Sequence, residues 1–212
     1  MDWWYFTGHL FVLFSLRLYL SYDYMEYVYK LNLPKVEYYL QPGYDIKFHM
    51  NSLVTDIRNL NTVFDVNKFN FNEYNWKDGF GLAFKKRPNM GIGRDEVIHI
   101  DGRGGTKIYG INWVHGGNGG MKYWDNPKNY TLKPLVYDVA GRPRIDIETK
   151  SLPDKIYPME NNCAYLVNAS VPHTGYNNHT TESRYAISIR PKYEERTWEE
   201  FVQSMKHLII ND

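Results

Sequence analysis

Between residues 97 and 190 the chain is a succession of short apolar runs separated by Gly, Asn and Pro turns. This punctuation constrains its fold more than any other feature. The runs at 97–100, 106–114, 121–124, 163–169 and 184–190 have the length of strands. Residues 197–210 follow a different rule. Thr197 with Glu200 three positions on forms a capping-box pattern, and Trp198, Phe201, Val202, Met205 and Leu208 recur at helical spacing. That predicts one amphipathic helix packed on a sheet. Many short strands with one or two helices predict a mainly β fold with flanking helices, a double-sheet jelly roll.

Other segments are read more coarsely. Residues 29–40 suggest strand pieces broken by Pro34, and 56–67 a weak helical pattern running into a polar loop. Residues 75–86 suggest a hairpin turning at Asp78-Gly79. Glycines 102, 104 and 105 mark a turn after Asp101. Residues 115–120, with His115 expected to be exposed, suggest a hairpin loop returning through 121–124. The Pro-containing stretch 125–160 reads as irregular, apart from an alternating piece at 145–149, and could cover a site mouth.

The chain has 212 residues, enough for one domain with a sizeable core. The expected organisation is a single domain over 25–212 behind an apolar N-terminal extension, 1–24. The stretch 3–20 nearly has the ~20 apolar residues of a membrane span. His9 and Arg17 interrupt it, and no basic residue precedes it as a secretory signal requires. A packed helix, or a native start at Met25, is favoured over an anchor. The net charge of +1 carries no electrostatic case for nucleic acid or anionic membrane. The lone cysteine, Cys163, excludes a disulfide framework and fits a reducing, cytoplasmic setting in a bacterium or a virus-infected host. Three Asn-x-Ser/Thr triplets, at Asn129, Asn168 and Asn178, are what an Asn-rich chain produces by chance.

The chemistry concentrates at His99-Ile100-Asp101 and at His173. On a strand, residues i and i+2 share a face, so His99 and Asp101 can reach one ion from a strand end. His173 must come from a strand alongside. Two His and one carboxylate are the facial ligand set of non-haem Fe(II) oxygenases, although such ligands also take Mn, Co, Ni or Zn. Arg184 opens the next strand-like run and suits a carboxylate partner. Ser188 and Arg190 would share its face.

His-x-Asp, a distant His and an Arg about ten residues later together resemble the 2-oxoglutarate/Fe(II)-dependent oxygenases, over roughly residues 90–192. Residues 110–114 and 121–124 look like strands of small phage and marine-bacterial members. The resemblance implies a double-stranded β-helix, the cupin-like jelly roll, with Fe(II) held by His99, Asp101 and His173. It implies that the far carboxylate of 2-oxoglutarate rests on Arg184; the family's usual Arg-x-Ser/Thr helper is displaced or absent in Arg184-Tyr185-Ala186, and Ser188, on the same strand face, could donate a second hydrogen bond. O2 takes the remaining metal position, and the outcome is oxidation of a substrate, most simply hydroxylation. Tyr109, Asn112 and Tyr123 would line the barrel and could bind co-substrate, or could equally be satisfied core residues. The Arg184…Arg190 spacing is similar to the two-arginine pattern of alkylated-nucleic-acid demethylases. The residues between do not match and basic clusters are lacking, so nucleic acid is not an expected partner. Arg190 is expected to be a salt-bridged or surface residue. Two rival readings stay open: a non-catalytic jelly-roll module, and a cupin-type metal enzyme without 2-oxoglutarate. The substrate and the oligomeric state are not written in the sequence.

Overall fold

In a computed structural model, residues 26–44, 54–57, 60–69, 79–90, 97–138, 141–191 and 194–210 are described. The N-terminal extension and the Asp78 turn lie outside them. The described chain is mainly β: two antiparallel sheets face each other in a β-sandwich consistent with a jelly roll. The first sheet has the order β1-β10-β5-β12-β3-β2. Its strands are β1 (Val28–Leu31), β2 (Val54–Ile57), β3 (Phe80–Lys86), β5 (Tyr109–His115), β10 (Cys163–Asn168) and β12 (Arg184–Arg190). The second has the order β7-β8-β4-β11-β6-β9. It comprises β4 (His99–Asp101), β6 (Gly119–Tyr123), β7 (Tyr130–Tyr137), β8 (Pro143–Thr149), β9 (Lys155–Met159) and β11 (His173–Asn177).

Strand alternation gives the first sheet two different faces. From β5, β10 and β12, Ile111, Trp113, Ile187, Ile189, Ala164 and Leu166 point outward into the main apolar cluster. That cluster is closed by the helix α1 (Trp198–Ser204), through Trp198, Phe201, Val202 and Met205. The helix begins as its sequence predicts. The Thr197 side chain accepts from the Glu200 N–H, and Glu200 reaches back to the Thr197 N–H. It is shorter than 197–210 and ends in a 3-10 turn at Lys206–Leu208. A second cluster fills part of the space between the sheets, with Val28, Val114, Tyr165 and Val167 from one side and Tyr123 and Met159 from the other.

Several expectations are corrected. Residues 115–120 do not close a hairpin: β5 lies in the first sheet and β6 in the second, so the loop carries the chain across the sandwich. Gly119 and Gly120 suit that crossing, because a Cβ at either would stand about 2 Å from the Tyr176 or Tyr157 carbonyl oxygen. Residues 125–160 are not irregular but contribute β7, β8 and β9, and Pro134 falls within a register shift between β7 and β8. Strand β3 is no local hairpin arm, since its partners are β2 and β12. Of residues 56–67, those described belong to the end of β2 and to 3-10 turns at Leu60–Thr62 and Val66–Lys68, not to an α-helix. Among the described residues, no helix is long and apolar enough to cross a membrane.

Candidate metal centre

Strand β4 delivers His99 and Asp101 to one face, and β11 brings His173 directly opposite His99 in register. Ligand atoms of the three residues all lie within 4.8 Å of one another. The ring centroids of His99 and His173 are 4.7 Å apart. The turn after Asp101 is made by Gly102, at φ +84°, a left-handed conformation that favours glycine.

Backbone contacts fix which nitrogen each imidazole can offer. Nδ1 of His173 lies 2.8 Å from the Val171 carbonyl, and Nδ1 of His99 lies 3.2 Å from the Val97 carbonyl. A carbonyl only accepts, so each Nδ1 carries the proton and each Nε2 presents its lone pair. Outer hydrogen bonds of this kind orient metal-binding histidines. Nε2 of His99 stands 3.3 Å from Oδ1 of Asp101. Burial, reinforced by the neighbouring His99, pushes the His173 imidazole down to about 3, so it is neutral and ready to ligate. Burial by itself would raise the Asp101 carboxyl. The Arg190 guanidinium beside it nevertheless holds it well below the usual carboxylate range.

Arg190 is the residue that sequence reasoning undervalued. It is buried, and its Nη1 donates to Oδ2 of Asp101. That leaves Oδ1 of Asp101 toward His99. Its Nε donates to Oγ of Ser188 at 3.1 Å, so Ser188 supports Arg190. The signal was present in the sequence, because Arg184, Ser188 and Arg190 share a strand face. Only the packing of the sheets shows which end of the strand meets Asp101.

Arg184 lies at the other end of β12, about 20 Å along the strand from Arg190 at ~3.3 Å per residue. It too is buried. Its Nη1 donates to the Gly116 carbonyl and to Oδ1 of Asn161, and its Nη2 to the Met159 carbonyl. Asn112 pairs in register with Ser188 and so faces the space between the sheets. Tyr123 pairs with His173 and its ring lies tilted beside the imidazole, with centroids 5.8 Å apart. Both residues are buried, and both carry a polar atom without a hydrogen-bond partner: Oδ1 of Asn112 and the hydroxyl of Tyr123. Such atoms are rare in a finished interior. Tyr109 sits elsewhere, on the outer face against Trp198 and Phe201, so it does not line this space. His115 is exposed, as expected, with Nδ1 at 2.7 Å from Oδ1 of Asn162.

The arrangement is therefore a β-sandwich with a buried His99-Asp101-His173 group that could hold a metal ion. The donor set fits a divalent first-row ion: two neutral imidazole nitrogens and one carboxylate oxygen, with an arginine securing the other oxygen. No family model, curated protein or solved structure matches this chain.

Proposed function

We propose that the protein is an Fe(II)- and 2-oxoglutarate-dependent oxygenase, and that its sandwich is a double-stranded β-helix. The observation that carries this reading is the triad set beside two buried, unpartnered polar atoms, on Tyr123 and Asn112, in the space between the sheets. A small polar molecule lying there would give both atoms partners. When bound, the iron and its 2-oxo acid supply O2 activation and oxidation coupled to decarboxylation.

The chain's own residues do the rest. His99, Asp101 and His173 would hold the ion. Arg190 holds Asp101 in place as an anion. The Tyr123 hydroxyl, kept protonated because burial pushes it well above its ordinary value, donates a hydrogen bond to an incoming carboxylate or keto oxygen. Arg184 receives the far carboxylate on its Nε edge, which bonds to no described residue. The bonds Arg184 already makes favour a second reading, a metal enzyme without 2-oxoglutarate.

The test is anaerobic titration of the Fe(II)-loaded protein with 2-oxoglutarate. A weak visible charge-transfer band is expected, lost in His173→Ala and requiring more 2-oxoglutarate in Arg184→Ala. Bound iron with no band would select the second reading, and no bound iron would leave a structural module.

A further inference from the structure

Strand β8 runs beside β4 in strict register, His99 opposite Asp146 and Asp101 opposite Arg144. Cross-strand partners point to the same side of a sheet. Arg144 and Asp146 therefore face the same space as the metal ligands. The next residue, Ile147, faces away, into an outer cluster with Ile98 and Trp124.

Exposure increases toward this strand. His173 is 4% exposed. The side chains of Asp101 and His99 are 19% and 21% exposed, and those of Asp146 and Arg144 are 26% and 28%. The gradient rises from β11 through β4 to β8, so Arg144 and Asp146 stand at the entrance. Just before them in the chain, Arg142 reaches the first sheet, 5.7 Å over the ring of Phe84 on β3. Phe84 pairs with Ala186 and shares its inward face.

The ion pair at the entrance is poorly made. Nε of Arg144 and Oδ1 of Asp146 approach to 2.9 Å without hydrogen-bond alignment, so both buried atoms lack a bonded partner. The bond that does form, from Nη2 to Oδ2, is long at 3.4 Å. A misaligned contact between two such groups is readily exchanged for better partners. The fork of Arg144 suits a carboxylate, and Asp146 suits an ammonium group. In an α-amino acid those two charges are two bonds apart and fit neighbouring partners. The entrance does not present a cationic track for phosphates, because Asp138 neutralises Arg142 and Asp146 neutralises Arg144.

We propose that Arg144 and Asp146 recognise a free α-amino acid, its carboxylate on Arg144 and its ammonium on Asp146, with the side chain directed at the metal triad. This rests on the oxygenase reading only for what happens after binding. The test is calorimetric titration of the full chain with the proteinogenic L-amino acids, then with N-acetyl and carboxamide forms of the tightest binder. At least one amino acid is expected to bind, and either capped form to bind at least about tenfold more weakly. Arg144→Gln should erase the preference for acid over carboxamide, and Asp146→Asn the preference for amine over N-acetyl.

The double variant R144Q/D146N removes both charges and keeps polar side chains, and its melting point reports whether it folds. The proposal is overturned if no amino acid binds at millimolar concentration. Capped forms that bind as well as the parent would overturn it too, as would a folded double variant with unchanged affinity. The capped ligands test it on the natural sequence should a variant fail to fold. Amino-acid binding without 2-oxoglutarate binding would sink the oxygenase reading and keep this site. The reverse would sink this site alone.

Discussion

The two faces of the first sheet are built from the same strands and do opposite work. Outward, β5 and β12 present Ile111, Trp113, Ile187 and Ile189 to Trp198 and Phe201 of α1, all at 5% exposure or less. Inward, the alternate positions include Asn112, Ser188, Arg184 and Arg190, which are buried but polar. In a simple sandwich the inner faces supply the core. Here much of the apolar packing sits outside the sandwich, beneath the helix. Part of the interior is left polar, and that is where the triad lies. Stability and chemistry are thereby separated by the thickness of one sheet.

That separation can be broken from either side. The largest effect is expected on the outer face. Phe201→Ala should cost about 3–5 kcal/mol in urea unfolding, because a fully buried ring leaves a cavity. The folded fraction should still bind metal with unchanged affinity; a parallel loss of affinity would mean the faces are coupled. On the inner face, Arg190→Ala strands the Asp101 carboxylate, and breaking such a buried pair costs about 3 kcal/mol or more. Unlike Phe201→Ala, it should also weaken metal binding, read by direct titration.

The pH dependence sharpens the contrast further. The folded-state value of His173 is depressed to about 3 from an ordinary 6.5. Above pH 6.5 neither state takes up the proton, so His173 contributes no pH dependence. Below it the unfolded chain binds a proton that the native site refuses, and stability falls by up to about 1.4 kcal/mol per pH unit toward pH 3. Asp101 begins to act only below about 4, so between 6.5 and 4 the difference from His173→Ala reports the histidine without it. Metal-free His173→Ala should flatten the stability profile there; an unchanged slope would show that the imidazole is not held neutral. The smallest expected effect is on the outer side. Thr197→Ala removes the helix cap, costs about 1 kcal/mol, and should leave the metal titration unaltered.

The legibility of the chain divides along the same line. The His99-x-Asp101 pair was readable because period-two alternation is a local property. The capping box at Thr197 was readable for the same reason, since both partners sit within one turn. Strands 163–169 and 184–190 appear within a residue of their expected bounds. The 115–120 segment was misread because a Gly-rich loop between two strands looks the same whether it closes a hairpin or crosses to another sheet. Residues 125–160 were misread because prolines on an edge strand and at a register shift imitate loop composition. Tyr109 was placed in the barrel for want of a face. Alternation says which residues share a side, but not which side is inside.

The sequence by itself determined the strands at 163–169 and 184–190, the shared face of His99 and Asp101, the shared face of Arg184, Ser188 and Arg190, and the start of the helix. Each depends on residues a few positions apart and on backbone geometry that neighbours enforce. Only the tertiary structure decided that His173 pairs with His99, that Arg190 is the arginine meeting Asp101, and that β8 sets Arg144 and Asp146 at the entrance. Those are choices of strand partner and register. They are fixed by burial summed over both sheets, between residues up to 89 positions apart, and no local pattern encodes them.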